Sequence, residues 1–205
     1  MDLHPSIALE SLAALSVAKC LQRISRVSAG TWQVEGAKVS YGSVRDALAA
    51  HDFSDPAAAV YISLDGPRPV TSAMILDPAN IEYVSKCFTG HSFPRGGPIT
   101  PAEEVMLTEL ANIILNAVTN ALLNAVKKSF IPALPRFAQG GLDVIEKEFL
   151  AIPALKQNFR IVTVTINMCA GASSAKAEVF SLVPEELAME LDNLRPPAGS
   201  HDGIA

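Results

Sequence analysis

The chain has 205 residues, 49% of them apolar and 18% charged, with a formal net charge of −5. That is ample material for a packed core, enough for one medium domain or two small halves sharing a core, and it excludes a disordered chain. No run of Lys or Arg occurs, which sets nucleic acid aside as a partner. Cys20, Cys87 and Cys169 are odd in number and widely spaced, so they read as buried free thiols in a reducing cytosol, not as a disulfide scaffold or a zinc site.

In chain order, the start lacks a basic leader, carries Asp2 and Glu10, and does not read as a signal peptide. Apolar spacing predicts a helix over 5–27, a strand over 31–40, a short helix over 43–51, strands over 58–64 and 70–76, and a helix over 78–87. Residues 89–99, rich in Gly and Pro, read as a linker. A long helix follows, with Thr100 as its N-cap, Pro101 in the first helical position and Glu103 completing a capping box. Strands are expected near 132–138, 159–168 and 176–182, the last two joined by a turn at Gly171–Ser174, with helices near 141–150 and 184–193. The Pro- and Gly-rich tail, 195–205, is expected to be mobile.

The chain repeats itself once. A shift of 99 residues brings Ser6, Glu10 and Ala13 onto Val105, Glu109 and Asn112, and Gly42–Leu48 onto Gly141–Lys147. Slightly larger shifts bring Val60–Leu64 onto Val162–Ile166 and Leu76-Asp77-Pro78 onto Leu182-Val183-Pro184. Each half, 5–88 and 100–194, then reads α-β-α-β-β-α, and each alone is too small to cover both faces of its strands. The expected fold is α/β (α+β): one domain over 1–205, two halves related by a pseudo-twofold, one shared sheet, and two long helices packed on it.

The long second helix stands apart chemically. Thr108, Glu109, Asn112, Asn116, Thr119, Asn120 and Asn124 fall on one stripe, while Met106, Leu107, Leu110, Ile113, Ile114, Leu115, Val118 and Leu122 fill the remaining circumference. Asparagine is a poor helix former and makes no i,i+4 ion pair, so four on one face suggest a face that meets something. A solvated face, or packing on another polar helix, is the plain structural alternative. The stretch is long enough to span a bilayer, but Glu109 and the four Asn make that costly, and it reads as a helix of a soluble protein.

Glu109, Asn112 three residues on, and Pro135 twenty-three further on carry a resemblance. That spacing is similar to the signature of the CheC/CheX/FliY family of chemotaxis phosphatases, with Val105 where the family pattern has Ser or Asp. The resemblance covers about 5–194 and is closest to CheC by length and internal repeat. It implies a cytoplasmic phosphatase that hydrolyses the aspartyl phosphate of a phosphorylated CheY-like response regulator, Glu109 anchoring on a regulator lysine and Asn112 orienting the attacking water. The Mg²⁺ it implies belongs to the regulator; no metal or cofactor is expected on this chain. In that family CheC-type proteins also bind the receptor deamidase CheD, which the resemblance brings in as a further partner.

The residues support that chemistry on their own terms. A carboxamide both donates and accepts, and it approaches phosphoryl oxygens without charge repulsion. Positioning a water in line supplies much of phosphoryl-transfer catalysis. Asn116 and Asn120 would extend the uncharged binding face, and Pro135 reads as structural, fixing the turn into a strand or capping an edge. In the first half Ser6 and Glu10 stand at the motif offsets but Ala13 replaces the Asn, so a single working site is expected, with Ser6 read as a helix cap in preference to a binding residue. Because both halves lie in one chain, a monomer is expected. The alternative function is a non-catalytic module of the same fold that binds a response regulator or the flagellar switch. Cys87 and His91 are read as a coincidental pair, and His4, His51 and His201 as solvated.

Overall fold

A computed structural model describes residues 6–51, 56–65, 69–92, 98–127, 131–171 and 173–194. The elements in order are α1 (Ile7–Val27), β1 (Thr31–Gly42), α2 (Val44–Ala49), β2 (Ala57–Asp65), β3 (Val70–Leu76), α3 (Ile81–Thr89), α4 (Pro101–Ala125), β4 (Ile131–Pro132), β5 (Arg136–Gly140), α5 (Leu142–Leu150), β6 (Phe159–Ala170), β7 (Ser173–Val183) and α6 (Glu185–Asp192). Single 3₁₀ turns at Pro78–Asn80 and Pro153–Leu155 precede α3 and β6. The tail from residue 195 and most of the linker, 93–97, lie outside the described residues, as do His4 and His201.

Every expected element is present, with two differences in extent. The strand expected over 132–138 is broken into β4 and β5, both antiparallel to β2: Ala133 still donates to the Ser63 carbonyl at 3.0 Å, and the pairing lapses at Leu134 and at Pro135, which has no N–H to give. The β6–β7 turn is tighter than Gly171–Ser174: Gly171 takes a left-handed conformation (φ 66°) and β7 starts at Ser173.

The sheet is antiparallel in order β1-β6-β7-β3-β2, with β4 and β5 sharing the outer edge of β2. Exchanging the halves, β1 for β5, β2 for β6 and β3 for β7, reverses this order onto itself. That is the mark of a pseudo-twofold normal to the sheet and passing between the central pair β3 and β7, where Ala73 meets Phe180 and Met74 meets Val179. The long helices α1 and α4, exchanged by the same operation, therefore run antiparallel, and Cys20 Sγ on α1 lies 3.7 Å from the Ile113 carbonyl on α4.

Two cores result. On one face α1, α3, α4 and α6 cover Ala58, Val60, Ile62, Leu64, Met74, Leu76, Val162, Val164, Ile166, Ala177 and Val179. On the other, α2 and α5 bury the alternate residues Ala59, Tyr61, Ala73, Ile75, Ile161, Phe180 and Leu182 around the Tyr61–Phe149–Phe180 rings, whose successive centroids are 4.5 and 6.0 Å apart. A bulge between Val34 and Gly36 breaks the period of β1, so Trp32, Val34, Ala37 and Val39 all face the long helices. α4 has the length and apolarity of a membrane-crossing helix, but its apolar side is packed on the sheet as a core element.

Candidate functional site

The start of α4 is fixed by its cap. Thr100 Oγ1 accepts from the Glu103 N–H, and Glu103 Oε2 accepts from the Thr100 N–H at 2.7 Å, with Pro101 in the first turn. From there Met106, Leu107, Leu110, Ala111, Ile114, Leu115, Val118, Leu122 and Leu123 point into the core. The opposite side presents Glu109, Asn120 and Asn124 as exposed residues, with Asn112 and Asn116 half-buried.

Two expectations about this helix are corrected. Thr119 is buried and turned inward, its hydroxyl 3.4 Å from Ser72 Oγ, which pairs with Ser181 Oγ at 2.7 Å across the central strands. Ile113, assigned to the apolar circumference, is 45% exposed. Both follow from a buried arc wider than an a/d seam: α4 lies against both the sheet and α1, which rotates Thr119 in and Ile113 out.

Within the outward face, Asn116 Nδ2 donates to Asn112 Oδ1 at 2.8 Å, one turn apart. This bond fixes the plane of the Asn112 carboxamide and leaves its N–H donors without a partner among the described residues. Glu109 forms no hydrogen bond or ion pair with any described residue. Val105, at the motif position of a Ser or Asp, is 63% exposed, so nothing buried demands its apolar side chain. Pro135 is half-buried, immediately before β5 at the sheet edge.

The first-half counterparts behave differently. Ser6 is the N-cap of α1: its hydroxyl accepts from the Leu9 N–H at 3.2 Å and donates to Asp192 on α6. Asp192 also receives Arg160 of β6, a buried guanidinium held chiefly by Glu185, whose hydrogen bond raises the Arg160 pKa despite burial. Ser6 is thus built into a latch joining α1, α6 and β6. Ala13, aligned with Asn112 by the shift of 99, is 0% exposed, whereas Asn112 is half-buried. The burial pattern instead matches at a shift of 98: Leu9, Ala13, Val17, Cys20, Leu21 and Ile24 superpose on Leu107, Ala111, Leu115, Val118, Thr119 and Leu122, all buried, and the C-caps Ser28 and Val126 coincide. In that register Ser11 stands opposite Glu109 and Ala14 opposite Asn112, so Ser6 and Glu10 are not the equivalents of the second-half motif. The repeat of Leu76 likewise moves, since Leu76 faces the long helices and Leu182 the other core; the counterpart on the same face is Val183.

Elsewhere, His51 is corrected from solvated to buried: its side chain is 3% exposed and Nδ1 pairs with Glu178. Burial alone would raise the Glu178 carboxyl, but the His51 hydrogen bond and charge, helped by Thr165 and Lys38, hold it below the usual range. Nothing local announced the pair, because its partners are 127 residues apart in sequence. Cys20 and Cys87 are buried, which pushes both thiols up, and Cys169 is half-buried. His91 is exposed while Cys87 is buried, so no thiolate–imidazole pair forms. Among the described residues no three His, Cys, Asp or Glu side chains converge on one point.

The sequence matches no protein-family model and no curated protein. Solved structures share the fold. The chain resembles Thermotoga maritima FliY with a TM-score of 0.67 at 13% identity, over 93% of this chain and 96% of that one. It resembles FliM in the FliG–FliM complex from H. pylori (0.58, 13%, 89% and 96%) and a CheC-like superfamily protein from Shewanella sp. PV-4 (0.53, 12%, 85% and 97%). The architecture and the spacing of Glu109, Asn112 and Pro135 thus lead to the same group: this chain has the fold of the CheC, FliY and FliM proteins.

Proposed function

We propose that the chain is a CheC-like phosphatase with one site, on α4, acting on the aspartyl phosphate of a CheY-like response regulator. The observation that carries this reading is Asn112: it lies on the outward side of a core helix, its carboxamide plane set by Asn116 and its N–H donors unpaired among the described residues, one turn from a solvent-exposed Glu109. Asn116 occupies one lone pair of Oδ1; the other can accept a proton of the attacking water while Nδ2 donates toward a phosphoryl oxygen. Water then attacks phosphorus in line, the P–O bond to the aspartyl carboxylate breaks, and inorganic phosphate and the free carboxylate leave. Holding the amide before the partner arrives removes an ordering cost from that step. Glu109, which has no partner among the described residues, meets a lysine of the regulator in this reading, and Mg²⁺ is supplied by the regulator. Asn120 extends the uncharged approach, and the setting is cytoplasmic.

A second reading rests on the same helix. The Asn112 carbonyl is already bonded within its own helix, and exposed Val105 and Ile113 flank it with apolar surface. These suit a module that binds a regulator or flagellar-switch partner without hydrolysis, and the FliM neighbour is found in complex with FliG. Dephosphorylation kinetics separate the two. Phosphoregulator decay accelerated by the native chain and lost in Asn112→Ala supports the enzyme; binding with unchanged decay overturns it and leaves the module.

A further inference from the structure

The pseudo-twofold supplies an internal control for the surface around Glu109 and Asn112. α1 and α4 run antiparallel and touch where Cys20 meets Ile113. At equal rise per residue, Arg23 and Arg26 come level with Leu110 and Leu107, beside the turn bearing Glu109, and Lys19 comes level with Ile114. Lys19, Arg23 and Arg26 are exposed, spaced along one side of α1, and form no ion pair with any described residue. At the burial register of 98, their counterparts on α4 are Ala117, Ala121 and Asn124, all neutral, and these border Ser11 and Ala14. One end of the helix pair therefore carries, with the Glu/Asn pair, three cations that form no ion pair among the described residues, whereas the three equivalent positions at the other end are neutral.

We infer that Lys19, Arg23 and Arg26 form the electrostatic docking edge of the α4 site and take the acidic surface surrounding a phosphorylated carboxylate on a protein partner. This rests on the proposed function for the identity of that partner. The charge complementarity is specific. A chain of net charge −5 repels an acidic partner at long range, and a local cationic edge beside the reacting turn both offsets that repulsion and sets the approach. The cations stand on the neighbouring helix, level with the turns at 107–114 and not at Asn112 itself, so they act on association and orientation and not on the attacking water.

The test is equilibrium titration of the full chain with a beryllofluoride-activated response regulator at low and high salt, run beside phosphoregulator decay by the native chain. Arg23→Gln/Arg26→Gln is compared with Lys147→Gln/Lys156→Gln, an equal charge change at exposed positions on α5 and in the segment after it. We expect Arg23→Gln/Arg26→Gln to weaken binding about fivefold or more at low salt, a gap that closes at high salt, and the control to bind like the native chain. Equal weakening in both variants, or none in Arg23→Gln/Arg26→Gln, overturns the docking edge even where native decay is accelerated. Binding that depends on Arg23 and Arg26 without accelerated decay upholds the edge and overturns the phosphatase. A native chain that ignores the regulator yet binds anionic vesicles or DNA through these residues overturns the protein-partner inference.

Discussion

The two ends of the α1–α4 pair start from one architectural plan and have been put to different uses. At the α4 end the motif positions lie on an outward face: Glu109 is exposed, Asn112 is half-exposed with its carboxamide held by Asn116, and three cations of α1 stand alongside. At the α1 end the polar group nearest the helix start, Ser6, is consumed by a cap and by the Asp192–Arg160–Glu185 latch, and the residues at the motif positions are Ser11 and Ala14. The difference teaches that a repeat must be aligned by which side chains are buried. A shift of 99 matches letters and one of 98 matches faces, and only the second says what an equivalent residue touches.

That register can be broken by mutation, and this is where the largest stability effect is expected. Ala13→Asn puts a carboxamide into a fully buried site of the apolar core, and should cost about 3 kcal/mol from overpacking plus a polar group taken out of water. Ala14→Asn, at the half-buried position equivalent to Asn112, should stay within about 0.5 kcal/mol of native. Urea unfolding of both measures this, and equal costs would return the alignment to 99.

The latch sharpens the comparison from the other side. Arg160→Met leaves Glu185 and Asp192 facing each other; as both carboxylates are about a third exposed, we expect a loss of about 2 kcal/mol by the same assay, below that for a fully buried pair. Ser6→Ala, which removes the cap and the Asp192 contact, should cost about 1 kcal/mol. Neither should alter the α4 face.

The smallest effect concerns pH and lies on the opposite core. Because the folded Glu178 carboxyl is held below its ordinary value, its contribution is fully present above the usual carboxylate range and is lost as pH falls through the depressed folded value. His51→Phe should remove most of that acid-side dependence, giving a flatter stability profile as pH falls below the usual carboxylate range. An unchanged profile would mean that His51 does not set the Glu178 pKa.

Local pattern went far in this chain. The capping box at Thr100 and Glu103, the apolar periods of α1 and α4, the strands and the halved topology were all legible because each depends on neighbours in sequence. What was illegible depends on distant partners. Thr119 belongs to the polar stripe by periodicity but turns inward because Ser72 and Ser181 wait on the sheet. His51 is buried because Glu178 arrives from the other half. β4 and β5 separate where the ladder lapses at Leu134 and Pro135, and β1 keeps its face through a bulge that no alternation pattern reveals. For the site, the spacing of Glu109 and Asn112 was visible in sequence, but the Asn116 bond and the cations of α1 needed the helix pair to be assembled.

The most direct test of the central claim is the decay of a phosphorylated CheY-like regulator, with Mg²⁺ present, alone, with the native chain, and with Asn112→Ala. The account predicts decay accelerated at least about tenfold by the native chain and returned to the intrinsic rate by Asn112→Ala, the loss expected when a water-positioning group is removed. Acceleration that survives Asn112→Ala would contradict the assignment of the site, and no acceleration by a native chain that binds the regulator would contradict the enzyme itself.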